Sequence, residues 1–125
     1  MDDSEKQTLI ERYWESSSTG QDLTDETYHE DAVLEFPQSG ERFEGTANFR
    51  EWRSVYPASV RLELRELRGA GDLWVAEGSI TYDDGPGQPA LNVLEFRGDK
   101  VVRETIYVTE PWEAPEWRKR WRAGP

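Results

Sequence analysis

The chain has 125 residues, a length suited to one domain, and its 15 Lys and Arg against 26 Asp and Glu give a formal charge of -11. Such an acidic molecule repels nucleic acid and anionic membrane surfaces, so neither is an expected partner. With no cysteine and one histidine, it has no disulfides, thiolate or multi-histidine metal sites or cysteine nucleophile, and its acid/base candidates are Asp, Glu, Tyr, Lys and His29.

No run approaches the ~20 apolar residues of a membrane span. The start, MDDSEKQ, is acidic, the reverse of a signal or transit peptide, so a cytoplasmic location is expected. Neither repeats nor low-complexity linkers divide the chain, and residues 1-125 are read as a single domain.

In chain order, SEKQ offers a capping box at Ser4 and Gln7, followed by Leu9, Ile10, Tyr13 and Trp14 on one helical face. The spacing predicts a helix over about 5-18, ended by Gly20. A short acidic second helix in DLTDETYHED would bring Leu23 and Tyr28 to the core. AVLEF then turns extended, and Pro37 closes that strand. TANFREWRSVYP predicts a helix capped by Thr46, with Phe49, Trp52 and Tyr56 along one stripe and an end at or before Pro57. VRLELREL, LWVAEGSITY, PALNVLEFR and KVVRETIYVT all alternate with period 2, as strands with one buried face do. Gly98 and Asp99 suit a tight hairpin between the last two. Helix, helix, strand, helix and four antiparallel strands make an α+β domain with its helices on one face of a curved sheet.

This order, with ERYWESSSTGQDLTDETYHEDAVLEFP, the glycine pair in SGERFEGTANFREW and the closing hairpin LEFRGDKVVRETIYV, resembles the nuclear transport factor 2-like superfamily and its SnoaL-like, polyketide cyclase-like branch. The resemblance covers nearly the whole chain. It implies a cone-shaped, curved antiparallel or mixed sheet wrapped around N-terminal helices, a deep apolar pocket between sheet and helices, and a homodimer. Because such a fold hosts isomerases, dehydratases, epoxide hydrolases, cyclases and non-catalytic binders, function must be argued from the site.

Matched to the family's strand register, the concave side would present Tyr13, Val33, Glu35, Trp52, Trp74, Ala76, Gly78, Ile80, Asn92, Leu94, Phe96, Glu104, Ile106 and Val108, with Trp14 and Tyr56 as further pocket residues. A register error of one residue would move a whole strand's set to the other face. Tyr13 lies where ketosteroid isomerase has its oxyanion-hole tyrosine, and Asn92 where that enzyme has its protonated aspartic acid. The isomerase's general base would fall near Phe36, which cannot accept a proton. The Asp-Arg-Asp positions of limonene epoxide hydrolase read Ile80, Gly78 and Ile106. Scytalone dehydratase needs two histidines where this chain has only His29.

Attention therefore falls on Glu35 and Glu104. If both project into the cavity, desolvation and mutual repulsion would raise at least one pKa and pair a proton donor with an acceptor, flanked by Tyr13 and Asn92 as oxyanion donors. Glu35, two residues before Pro37, lies where epoxide hydrolases of this superfamily place a polar residue that helps hold the reactive water, and the resemblance makes it the favoured inward carboxylate. The competing expectation turns the glutamates outward, paired with neighbours such as Arg42 or Arg103.

Two functions remain open. One is a cofactor-independent acid/base enzyme of isomerase, cyclase, dehydratase or epoxide-hydrolase type acting on a small hydrophobic oxygenated molecule. The other is a module that binds such a molecule unchanged, or a dimerisation scaffold. Neither a cofactor nor a metal is expected. The tail EPWEAPEWRKRWRAGP, with Trp112, Trp117 and Trp121 among basic residues, is expected to wrap over the barrel edge and cover a strand, the pocket mouth or a dimer seam.

Overall fold

The computed structural model describes residues 1-124. Three helices precede or interrupt the strands: α1 (Asp3–Thr19), α2 (Thr24–Thr27) and α3 (Thr46–Ser54). The strands are β1 (Tyr28–Phe36), β2 (Glu41–Glu44), β3 (Val60–Ala70), β4 (Leu73–Tyr82), β5 (Gln88–Arg97) and β6 (Lys100–Val108), followed by a 3-10 turn at Glu116–Trp121. They form one curved sheet in the order β2-β1-β6-β5-β4-β3, whose ends do not join. The β1–β6 pair is parallel and the other neighbours are antiparallel.

Sequence periodicity placed the helices well, but their caps differ. Asp2, not Ser4, caps α1, its carboxylate accepting from the Glu5 N–H at 2.8 Å. The helix thus starts two residues earlier than expected. Thr46 is the first residue of α3 rather than its cap, and is itself buried. The second helix is a single turn, because the chain becomes extended at Tyr28. The strand β2 was not expected. Its short, charged segment ERFE contributes a sheet edge through its pairing with β1, an interaction that local periodicity does not reveal.

One face of the sheet packs against α1 and α3. Ile10, Trp14, Tyr28, Leu34, Phe49, Leu94 and Val101 are fully buried there, each apolar side chain contributing about 1.5–3 kcal/mol by leaving water. Polar ties fix α1 in place. Lys6 Nζ donates to Gly71 O at 2.8 Å in the β3–β4 turn, and Ser17 Oγ accepts from Leu62 N–H at 2.9 Å on the edge strand β3. Gly78 is needed where α1 crosses β4. A Cβ there would lie 2.0 Å from Glu63 O and 2.9 Å from the Trp14 ring.

Irregularities in the ladders decide which side chains share the inner face. Between Glu95 and Phe96 the β5–β6 register shifts, so Val101 and Glu104 are both buried although they stand three positions apart, an odd spacing that in a regular strand puts them on opposite faces. A second shift lies between Tyr28 and Val33 in the β1–β6 pair.

Candidate functional site

Three strands bring a polar cluster into the core. β1 begins with Tyr28, β5 supplies Asn92 and β6 supplies Glu104, whose residue keeps only 1% of its surface exposed. The Tyr28 hydroxyl donates to Glu104 Oε1, and Asn92 Nδ2 donates to Glu104 Oε2 at 2.5 Å. Both carboxyl oxygens are therefore satisfied by donors that a buried carboxylate requires.

Around this centre, α1 contributes Tyr13 and α3 contributes Arg53. The Tyr13 and Tyr28 rings meet edge to face at 5.4 Å, and Tyr28 meets Phe49 in the same way. The Arg53 guanidinium lies 5.4 Å from the Tyr13 ring centre, 5.8 Å from that of Tyr28 and 5.9 Å from that of Trp52. It is a cation held over three π faces.

These neighbours shift the titrations. Burial raises the Glu104 carboxyl above the ordinary glutamate value, opposed by the Tyr28 hydrogen bond, the Arg53 charge and Asn92. Burial, then the Glu104 charge, pushes Tyr28 well above the usual phenol value, so its hydroxyl serves as a donor. Burial also raises Tyr13, while Arg53 pulls the other way. Burial disfavours the Arg53 cation, yet the surrounding Tyr13, Tyr28 and Glu104 hold its pKa above the ordinary value.

Beyond Arg53 runs a chain of half-buried aromatics. Phe36 and Phe43 lie 5.7 Å apart, Phe43 and Trp52 5.1 Å, and Trp52 and Tyr56 5.8 Å. Tyr56 then stacks on Tyr82 at 6.0 Å, and burial pushes Tyr82 up to about 12.

The expected inward position of Glu35 is overturned. Its carboxylate pairs with Arg103 at 2.8 Å and Arg42 at 3.5 Å, on the side of β1 away from the core. Ala32, Leu34 and Phe36 hold the inner face instead, so Val33 also points away and the β1 register expected from the family is off by one residue. A Glu35–Glu104 pair sharing one cavity does not exist.

The remaining residues divide by place. Tyr13, Asn92 and Glu104 come together. Trp74, Ala76, Leu94 and Phe96 are buried, with Ile80, Ile106 and Trp52 packed at the edge of the core. Trp14 is a core residue against Gly78, Tyr56 belongs to the aromatic chain, and Val108 donates its N–H to Gln38 Oε1 at 2.7 Å. A groove of about 940 Å³ lies between α1 and β3, and its lining includes Trp14 but none of Tyr13, Asn92 or Glu104. Among the described residues, no three His, Asp or Glu side chains form a metal-binding group.

Two members of the cluster were missed from the sequence. Tyr28 was read only as core, although a buried phenol implies a polar partner. Arg53 follows Phe49 by four residues, so it shares the inward stripe of α3; that spacing was available as a signal.

A profile of the SnoaL-like domain matches residues 10–104. Among solved structures, an NTF-2 like protein of unknown function from Burkholderia xenovorans is 36% identical, with a TM-score of 0.88 over 100% of this chain and 98% of that one. A candidate ketosteroid isomerase from Kribbella flavida is 23% identical, with a TM-score of 0.83 over 100% of this chain and 93% of that one. A candidate polyketide cyclase from Sinorhizobium meliloti is 20% identical, with a TM-score of 0.68 over 80% and 94%. The latter two speak for the fold alone. Comparison with curated proteins found no significant match. With its helices, open six-stranded sheet and a profile match over most of its length, the chain belongs to the SnoaL-like family of the nuclear transport factor 2-like fold.

Proposed function

We propose that the protein is a cofactor-independent acid/base catalyst of isomerase or cyclase type, acting on a small, largely apolar, oxygenated molecule. The observation that carries this reading is the buried Glu104, held between two donors with its pKa raised by burial. A glutamine could fill the same space without a charge to desolvate, so an ionisable group here is a costly choice unless its proton is used.

A substrate would have to enter the cluster past Tyr13 and Arg53, its half-buried members. Enolisation transfers a proton from the carbon beside a carbonyl to the Glu104 carboxylate and leaves negative charge on the carbonyl oxygen. The Tyr13 hydroxyl, the second Asn92 amide hydrogen and the Arg53 cation supply stabilisation for that charge. Returning the proton to a different carbon completes an isomerisation. Attack of the enolate carbon on a second carbonyl, followed by protonation of the new alkoxide, closes a ring.

Loss of α-protons from a panel of cyclic ketones in D₂O, followed by NMR, tests this chemistry. Glu104→Gln is expected to slow exchange about 100-fold or more, with a smaller loss for Tyr13→Phe. Exchange at the wild-type rate in Glu104→Gln would overturn the reading. The aromatic chain from Phe36 to Tyr82 favours a second reading, a binder of apolar rings. Ketones that bind without exchanging would support it.

A further inference from the structure

The C-terminal segment makes little use of its own domain. Trp112, Trp117 and Trp121 expose 80%, 73% and 66% of their surface, and the turn Glu116–Trp121 buries no residue. Its polar contacts are local: Lys119 pairs with Glu116 at 3.7 Å and Arg122 donates to Pro115 O at 3.0 Å. The expectation that this tail wraps over its own barrel edge is not met. Three uncovered indoles in a row are a surface awaiting a partner. Between residues 116 and 122 the segment carries four cations, Arg118, Lys119, Arg120 and Arg122, against Glu116.

A surface of the opposite character lies on the same molecule. The α1–β3 groove, about 940 Å³, is rimmed by Glu11, Glu15, Glu63 and Glu66, with Arg65, itself paired to Glu77, as its one cation among the described residues, over a floor that includes Trp14 and Leu64. Its volume is near the top of the ~300–1,000 Å³ range of binding clefts. Glu63 and Glu66 already pair with Arg61 and Arg68. Glu11 and Glu15 have no ion pair among the described residues, and as like charges one helical turn apart they repel each other.

The root of the tail is near this surface. A second hollow shares Glu63, Leu64 and Arg65 with the groove and extends to Pro89, whose carbonyl accepts from Thr109 N–H at 2.9 Å. Pro111 and Pro115 stiffen the segment that leaves Thr109, which opposes folding back onto its own groove.

We propose that this tail is an exchanged arm: in a homodimer, Trp117, Trp121 and the neighbouring cations of each chain seat in the Glu11–Glu15 groove of a second copy. In such a dimer a two-fold axis near Pro89 and Thr109 would bring each root to the end of the other copy's groove, making the contact reciprocal and closed at two chains.

Sedimentation of the full chain tests the exchange by complementation. Wild type is expected to be a dimer that dissociates as salt rises, and both Trp117→Ala/Trp121→Ala and Glu11→Arg/Glu15→Arg are expected to be monomers alone. An equimolar mixture of the two variants should regain dimers, because one intact arm then meets one intact groove. Because the chain has no cysteine, a second readout stands if those variants misfold: Trp117→Cys and Glu15→Cys chains, mixed and oxidised, should form a disulfide-linked heterodimer. A monomeric wild type, a dimer indifferent to both pairs of substitutions, or a disulfide formed only within a doubly substituted chain would each overturn the proposal.

Discussion

Glu104 and Glu35 occupy adjacent ladder positions and opposite worlds. In the β1–β6 pair, Leu34 is opposite Glu104 and Glu35 is opposite Thr105. Glu104 faces the helices and is sealed between Tyr28 and Asn92, while Glu35 faces outward between Arg103 and Arg42. Neutral hydroxyl and amide donors with a nearby Arg53 raise the questions of proton storage and desolvation for the first. The second is a surface ion pair, which water and salt weaken. A single step along a pleated strand separates a group able to do chemistry from one that keeps a sheet face charged.

Removing the buried member should break this contrast most severely. Glu104→Ala leaves the Tyr28 hydroxyl and an Asn92 amide hydrogen buried without an acceptor, each worth about 1–3 kcal/mol, in addition to the cavity it opens. A loss of about 3 kcal/mol or more is expected in urea denaturation. A loss below about 1 kcal/mol would mean that water reaches the cluster. Tyr28→Phe should cost less, about 1.5–3 kcal/mol for one hydrogen bond to a charged group. Because that bond favours the carboxylate, its removal should also move the Glu104 carboxyl-carbon titration further upward in NMR.

The pH dependence sharpens the comparison further. A carboxyl whose folded pKa is raised binds its proton more tightly in the native state, so its contribution to stability is fully present below the unfolded value and declines as pH rises through the folded one. The melting temperature of wild type minus that of Glu104→Gln should therefore fall from about pH 4 upward. A flat difference would contradict the burial effect. The smallest change is expected for Glu35→Gln, a shift of no more than roughly 2 °C that disappears in about 1 M salt. A larger loss would show that the outward face is not open to solvent.

Much of this architecture was legible in the chain. The stripe Leu9, Ile10, Tyr13 and Trp14 marked α1, and the alternation in residues 60–108 marked four strands, because helical and strand periods are properties of neighbouring residues. Asn92 and Glu104 were singled out by setting those strands in the register of the family that the chain resembles. Glu35 was misplaced because β1 was oriented by the family's register rather than by its own alternation, in which Ala32, Leu34 and Phe36 form the apolar face and Val33 and Glu35 the other. Packing of Phe36 against Phe43 and Trp52 holds that apolar face inward. β2 escaped notice because ERFE is defined by its partner strand and carries no period of its own.

By itself, then, the sequence determined an acidic α+β chain, its helix segments and five of its six strands, and a basic aromatic tail unlike the rest of the chain. These follow from composition and local periodicity, which act over a few residues. Tertiary structure decided that Glu104 meets Tyr28, 76 residues away in the chain, that Arg53 covers both tyrosines, and that Glu35 belongs to the surface. Those outcomes depend on strand register and bulges, where competing pairings differ by a single residue and only the burial of a whole face selects one.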